Sequence, residues 1–234
     1  MPTQAGDKTL TVLTTAARWL FALCLPPLLL TASIGGAVNW LGLYTYGFEK
    51  YDVGQPTGLA DTELEKAARG LIGYFNSGEE NISLSVEKDG KPFVLFNQRE
   101  VAHLRDVKGL IRLDYLVLLG TLIYTLGYAS FSLCRKNRRQ LWWGMIWGNI
   151  LTLVLMAALR LITLYNFDRF FREFHLLSFT NELWQLDPAR DYLIMLFPGG
   201  FWYDATQVCA LAAGTMAVVL GGVAWGLSRR KVLS

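Results

Sequence analysis

The chain has 234 residues, 53% of them hydrophobic and 18% charged, with a mean hydropathy of +0.30. That balance is too apolar for an ordinary soluble domain, and the length allows one membrane bundle with a modest insert rather than two large domains. The net charge of +3 conceals a marked asymmetry along the sequence, and no nucleic acid partner is implied.

A helix needs about 20 mostly apolar residues to cross a bilayer. Four stretches meet that length, at 19–43, 113–134, 141–165 and 205–227. The first holds Pro26 and Pro27, which predict a kink or an irregular turn. It is too long for the apolar core of a cleaved signal peptide. Cys24, Cys134 and Cys209 fall in three different spans, which argues for small buried hydrophobes rather than a disulfide or a metal cluster.

The sequence therefore divides into an N-terminus with span one (1–44), an insert (45–112), spans two and three (113–165), a second polar segment (166–204), and span four with a tail (205–234). The N-terminal flank, the link "RKNRR" and the C-terminus together carry nine basic residues (Lys8, Arg18, Arg135, Lys136, Arg138, Arg139, Arg229, Arg230, Lys231) against the single acid Asp7. Segment 45–113 has nine basic and eleven acidic residues, and segment 166–204 has three and six. Basic flanks stay in the cytoplasm, so both termini are expected there, with both polar segments outside.

In the insert, "DTELEKAARGLIGYF" opens on Asp61 or Thr62 as N-cap and places Leu64, Ala68, Leu71, Ile72 and Phe75 on one face, the signature of an amphipathic helix. In "ISLSVEKDGKPFVLF", apolar and polar residues alternate up to Asp89-Gly90, which predicts a β-hairpin. A two-stranded ribbon alone is marginal, so it must lean on that helix or on the bilayer. The expected fold is mostly α: a four-transmembrane-helix bundle with a small extracytoplasmic α+β insert between spans one and two.

Asn97 followed by Glu100 reads as a capping box at the start of a helix that continues from Gln98 into span two. Glu100, His103 and Asp106 are three apart and share a side, so His103 is expected in polar company, about two turns before the bilayer. In the second polar segment, Phe167, Phe170, Phe171, Phe174, Leu177 and Ser178 keep helical spacing opposite Asp168, Arg169, Arg172 and Glu173. That is the pattern of an interfacial helix, and it carries the only other histidine, His175. Asp187-Pro188 begins a short helix over 189–196, Pro198-Gly199-Gly200 ends it, and Phe201, Trp202 and Tyr203 form an aromatic belt at span four.

The polar segments contain no G-x-S-x-G elbow, no H-E-x-x-H, no phosphate loop and no cysteine. No cofactor and no metal are expected. What remains is two imidazoles, which can take or give a proton near neutrality. Asp106 or Glu100 can hold His103 in one tautomer. Each histidine equally suits a local hydrogen-bonding role at a surface. Arg160 lies about five residues inside the outer end of span three, roughly 7–8 Å deep. An arginine there either snorkels to the interface or binds an anion such as a lipid phosphate, a carboxylate or an ester oxyanion.

Three blocks, "LFNQREVAHLRDVKGLIR", "FHLLSFTNELWQLDPARDYLIMLFP" and "FWYDATQ", resemble the lipoprotein intramolecular transacylase family of bacterial integral membrane proteins. The similarity extends over nearly the whole chain. It implies an acyltransferase that moves the sn-2 acyl chain of an S-diacylglyceryl-cysteine lipoprotein to the cysteine's own α-amino group. The product is the lyso form, N-acyl S-monoacylglyceryl. The resemblance also implies that the two essential histidines of the family fall on His103 and His175, and that the partners are a diacylglyceryl lipoprotein and membrane phospholipid. The chain departs from the family pattern at Pro198–Gly200, where bulkier or acidic residues are expected. The acceptor amine is tethered to the donor ester, so positioning supplies much of the rate and no enzyme nucleophile is required; a two-step route with acyl transfer through a histidine is the alternative. Arg160, Arg172 or Asn181 are candidate donors to the tetrahedral oxyanion. Two other classes fit the same spans: a non-enzymatic scaffold or sensor that holds lipid or lipoprotein, and a lipid ester hydrolase that gives the acyl group to water. The sequence sets no oligomeric state.

Overall fold

The computed structural model describes the backbone of residues 4–229 and side chains from residue 12. The tail residues Arg230 and Lys231 therefore lie outside the described residues, as do the side chains of Asp7 and Lys8. The elements in order are α1 (Gln4–Asn39), α2 (Leu41–Lys50), α3 (Gly54–Thr57), α4 (Asp61–Asn76), β1 (Ser85–Lys88), β2 (Lys91–Val94), α5 (Gln98–Cys134), α6 (Arg138–Tyr165), α7 (Phe167–Ser178), α8 (Tyr192–Leu196) and α9 (Gly199–Arg229). Among the described residues four helices, α1, α5, α6 and α9, are long and apolar enough to cross a membrane. At 1.5 Å per residue the 37 residues of α5 exceed what the hydrocarbon core requires, so its polar first turns extend beyond the apolar stretch. The mostly α class with four spans and one small antiparallel hairpin is as the sequence predicts.

The chain forms two compact units. The first comprises residues up to 33, 115–160 and from 209 onward. Its helices approach closely where side chains are small. Ala210, Ala213 and Ala217 of α9 pack with Leu29 and Met156. A Cβ on Gly148 of α6 would stand 2.6 Å from the Ala22 carbonyl oxygen and 2.6 Å from Leu25. Small residues of this kind let membrane helices gain dispersion contacts where water offers no driving force. Phe21, Leu25 and Leu141 make a second cluster, with Phe21 stacked on Tyr128 at 4.7 Å. Pro26 and Pro27 make no irregular turn: α1 continues as helix through both prolines. Leu116, Leu119, Ile123, Leu126, Val219 and Val223 stay exposed, the surface a lipid solvent would cover.

The second unit comprises residues 34–114 and 161–208. Here α4 packs with α2 and with β1, burying Leu64, Ala67, Ala68, Leu71, Tyr74 and Phe75. Its N-cap is Ala60, whose side chain caps nothing, rather than Asp61 or Thr62. The acids Asp61 and Glu63 lie instead within the first turn, where they favour the helix dipole. Glu63 also reaches across to the backbone N–H of Glu87 at 2.7 Å, clamping the hairpin onto the helix. That hydrogen bond holds the Glu63 carboxyl below its ordinary range. The hairpin turns at Asp89 and Gly90, with φ of 52° and 72°, the two left-handed residues a type I′ turn needs.

After α7 the chain differs from expectation. Residues 188–190 are turn, and α8 covers only Tyr192–Leu196. Pro198-Gly199-Gly200 then leads directly into α9, so the aromatic belt Phe201–Tyr203 forms its first turns. Gly200 presses on the ring of Tyr51, which a Cβ would overlap. This close approach explains a glycine where bulk was expected. The Tyr51 hydroxyl and Lys50 both donate to Asp204, at 2.8 and 2.6 Å.

Candidate active site

The site grows from α5 and α7 in the second unit. Asn97 and Glu100 form the expected capping box: the Asn97 side chain accepts from the N–H of Glu100 at 3.1 Å, and the Glu100 carboxylate accepts from the N–H of Asn97 at 2.7 Å. Glu100 does not serve His103. Its other oxygen accepts from the N–H of Leu193 at 2.6 Å, and the side chain is 1% exposed. A carboxylate at the start of α8 satisfies donors that the helix itself leaves free. Asn97 adds a second tie, donating to Asp191 at 2.8 Å, and Asp191 accepts from the N–H of Asp187 at 2.7 Å. The segment after α7 is thus fixed to the start of α5.

One turn along α5 stands His103. It is buried and lies edge-on to Phe179, at 5.1 Å between ring centroids. The company is aromatic rather than polar as expected, because the side of α5 that bears Glu100 and His103 is covered by the chain after α7. The His103 Nδ1 is buried without a hydrogen-bond partner among the described residues.

On α7, Asn166 caps the first turn by accepting from the N–H of Arg169 at 2.9 Å. The aromatic face expected to meet lipid is divided. Phe167 and Phe171 pack against Tyr203 and Trp202, while Phe174 and Leu177 stay exposed. His175 is buried among Phe171 at 4.3 Å, Trp184 at 4.9 Å, Phe174 at 5.4 Å and Phe179 at 5.5 Å. Its Nδ1 lies 2.7 Å from the carbonyl oxygen of Phe171. A carbonyl only accepts, so Nδ1 carries the proton and Nε2 keeps the lone pair. Burial pushes the His175 imidazole below its ordinary pKa, opposed in part by this hydrogen bond. Burial thus favours the neutral ring, whose lone pair is on Nε2.

The two imidazoles face each other at 6.2 Å between centroids with planes 31° apart, and both rest on Phe179. The supporting residues are placed differently from one another. Asp106 makes no hydrogen bond to His103; it accepts from Asn181 at 2.9 Å, another tie between α5 and the segment after α7. Arg172 is exposed on α7. Arg160 belongs to the first unit. Phe179, Trp184 and Asp191 were not singled out in the sequence. Phe171 and Phe179 do stand four residues on either side of His175, a spacing that puts both against one helical residue. Trp184 and Asp191 carry no comparable sequence signal. Neither histidine lines a cavity of about 520 Å³ in the first unit, bordered by Arg18, Arg139 and Trp143, or a groove of about 350 Å³ beside β2. Among the described residues no group of three His, Cys, Asp or Glu is arranged to hold a metal ion.

Four apolar spans and two buried imidazoles beside a shared phenylalanine define an integral membrane protein with a histidine pair in its polar unit. The family model of the lipoprotein intramolecular transacylase Lit matches residues 19–202, and the chain belongs to that family of acyltransferases. A curated relative, an uncharacterized protein of Aquifex aeolicus (strain VF5), is 27% identical over 165 residues, 68% of this chain and 70% of the relative. The in meso structure of the membrane integral lipoprotein intramolecular transacylase Lit from Bacillus cereus is similar with a TM-score of 0.83 at 19% identity, covering 96% of this chain and all of that one. A variant of that protein with one histidine replaced by alanine gives a TM-score of 0.79 at 18% identity, over 97% of this chain and 99% of the other.

Proposed function

We propose that this protein moves the sn-2 acyl chain of an S-diacylglyceryl-cysteine lipoprotein onto the α-amino group of the same cysteine. The observation that carries the reading is the His103–His175 pair, 6.2 Å apart on Phe179, with the Nε2 of His175 left basic by the bond from Nδ1 to Phe171. The reaction needs a base and then an acid, and the family name specifies an intramolecular acyl transfer.

The substrate ammonium first loses one proton. The free amine attacks the ester carbonyl, the C–N bond forms, and the carbonyl electrons move to oxygen. A neutral imidazole takes the second amine proton. The tetrahedral species then collapses, the bond to the glycerol oxygen breaks, and that oxygen receives a proton from an imidazolium. Products are an amide and a free hydroxyl, with one proton released and the number of acyl chains unchanged. His103 and His175 share these two roles, and Phe171, Phe174 and Trp184 keep water from the ester. Asn181 and Arg172 are the oxyanion donors within this unit. Asp106 holds Asn181 in place. The membrane is the bacterial cytoplasmic membrane, the termini are cytoplasmic, and the histidines stand at the outer leaflet. The basic flanks of the spans support that orientation.

The deciding experiment is conversion of a diacylglyceryl lipopeptide by purified wild-type, His103→Ala and His175→Ala protein, read by mass spectrometry. Each variant is expected to lose at least about a hundredfold in rate, the ordinary worth of a general acid or base, with unchanged folded yield. Unchanged conversion in either variant removes that histidine from the mechanism. Release of free fatty acid by the wild type establishes a hydrolase instead.

A further inference from the structure

Beside β2 the second unit carries a groove of about 350 Å³, lined by Phe93, Val94, Leu95, Phe96, Asn97, Glu100, Arg190 and Tyr192. The hairpin register determines which backbone groups face it. Lys88 pairs with Lys91 across the two-residue turn, Val86 with Phe93, and Ser85 with Val94. In a two-residue hairpin the pair that closes the turn is hydrogen-bonded, and bonded and non-bonded pairs then alternate. Lys91 and Phe93 therefore direct their N–H and C=O groups at β1. The bond from the N–H of Leu95 to the carbonyl of Leu84, at 3.0 Å, continues that alternation. Val94 falls between them, so its N–H and C=O point away from β1. No backbone partner takes them up among the described residues, and Val94 is 68% exposed.

A free strand edge accepts an extended chain. On the reading of the site given above, the substrate has such a chain: the polypeptide that follows the lipidated cysteine. Asn97 and Glu100, at the start of α5, line the groove, and His103 stands on the same helix one turn further on. That turn is about 4.5 Å of helix rise per three residues, while an extended peptide advances about 3.3 Å per residue. The first few residues after a cysteine held at His103 therefore span the rise back to Glu100 at the groove's edge.

We propose that the edge of β2 at Val94 binds the backbone of the lipoprotein's first residues as an added antiparallel strand. One substrate residue exchanges both its N–H and its C=O with Val94. Recognition by main chain reads no side-chain identity, so the site takes lipoproteins of differing sequence.

The test compares two substrates, S-diacylglyceryl cysteine amide and the same cysteine carrying a four-residue tail. For the wild type the tail should lower KM at least about tenfold, the worth of two backbone hydrogen bonds at a few-fold each, with kcat unchanged. Val94→Pro removes the outward N–H without touching the ladder and should raise KM for the tailed substrate about three- to tenfold. It should leave the tail-less substrate alone, while Val94→Ala changes neither. Tailed peptides with a single N-methyl group, moved along residue by residue and assayed on the wild-type enzyme, should lose binding at alternate positions. A KM independent of the tail, an equal effect of Val94→Pro on both substrates, or N-methyl groups without alternation would overturn the proposal and leave the acyl transfer standing. Failure of the wild type to convert either substrate would remove the transacylase reading itself, and this proposal with it.

Discussion

Glu100→Ala should unfold the histidine site from its support rather than from its chemistry. The Glu100 carboxylate is 1% exposed and accepts the backbone N–H groups of Asn97 and Leu193 at 2.7 and 2.6 Å. Truncation leaves the Leu193 N–H buried without a partner, at about 1–3 kcal/mol, and removes the capping bond to the more exposed N–H of Asn97, at about 1 kcal/mol. The expected loss is therefore roughly 2–4 kcal/mol, a large fraction of the ~5–15 kcal/mol that holds an ordinary domain. Glu100→Gln keeps the volume and one carbonyl oxygen but turns its NH₂ toward the second donor, so about half of that loss is expected. Thermal and denaturant unfolding of purified protein in detergent, followed by tryptophan fluorescence, should rank wild type above Gln above Ala. Activity per folded molecule, measured on lipopeptide well below the transition, should remain within a few-fold of wild type for Glu100→Gln. Wild-type stability combined with lost activity in that variant would refute the argument and return Glu100 to the reaction as a proton carrier.

The presence of only two histidines permits a direct titration. With ¹³Cε1-labelled histidine, and His103→Ala to assign the remaining signal, the His175 midpoint should fall below the ordinary value of about 6.5, because burial disfavours its charged form. The unfolded chain then binds this proton first, so stability from the site is complete above about pH 6.5 and declines as pH falls below it; a midpoint at or above the ordinary value would contradict the aromatic burial. In the first unit, Gly148→Ala should cost about 1–3 kcal/mol by overpacking, since its Cβ would meet the Ala22 carbonyl and Leu25. Gly120→Ala, which meets nothing within 4 Å, should cost none of this, and equal unfolding of the two would dismiss close packing at Gly148.

Much of the fold was legible because hydrophobic periodicity and turn chemistry are local. The four spans, the α4 amphipathic face, the Asp89-Gly90 turn and the Asn97–Glu100 capping box all follow from residues within a few positions of each other. The errors arose where a distant segment intervenes. Pro26-Pro27 allowed an irregular turn that α1 does not make. The helix expected over 189–196 starts only at Tyr192, after Asp191 is held by Asn97 and Asp187. Gly200 is small because Tyr51 lies on it.

The sequence by itself determined that this is a membrane-spanning, mostly helical chain whose two histidines stand on helices beside apolar stretches. Helical spacing settles which residues share a face, since 3.6 residues make a turn whatever surrounds them. It does not settle what the face meets. Only the tertiary structure brought His103 and His175 together over Phe179, diverted Glu100 from His103 to the backbone of α8, and turned an expected polar setting into an aromatic one. Those outcomes depend on how segments far apart in sequence pack, and burial against such a partner decides which nitrogen of an imidazole is left to take a proton.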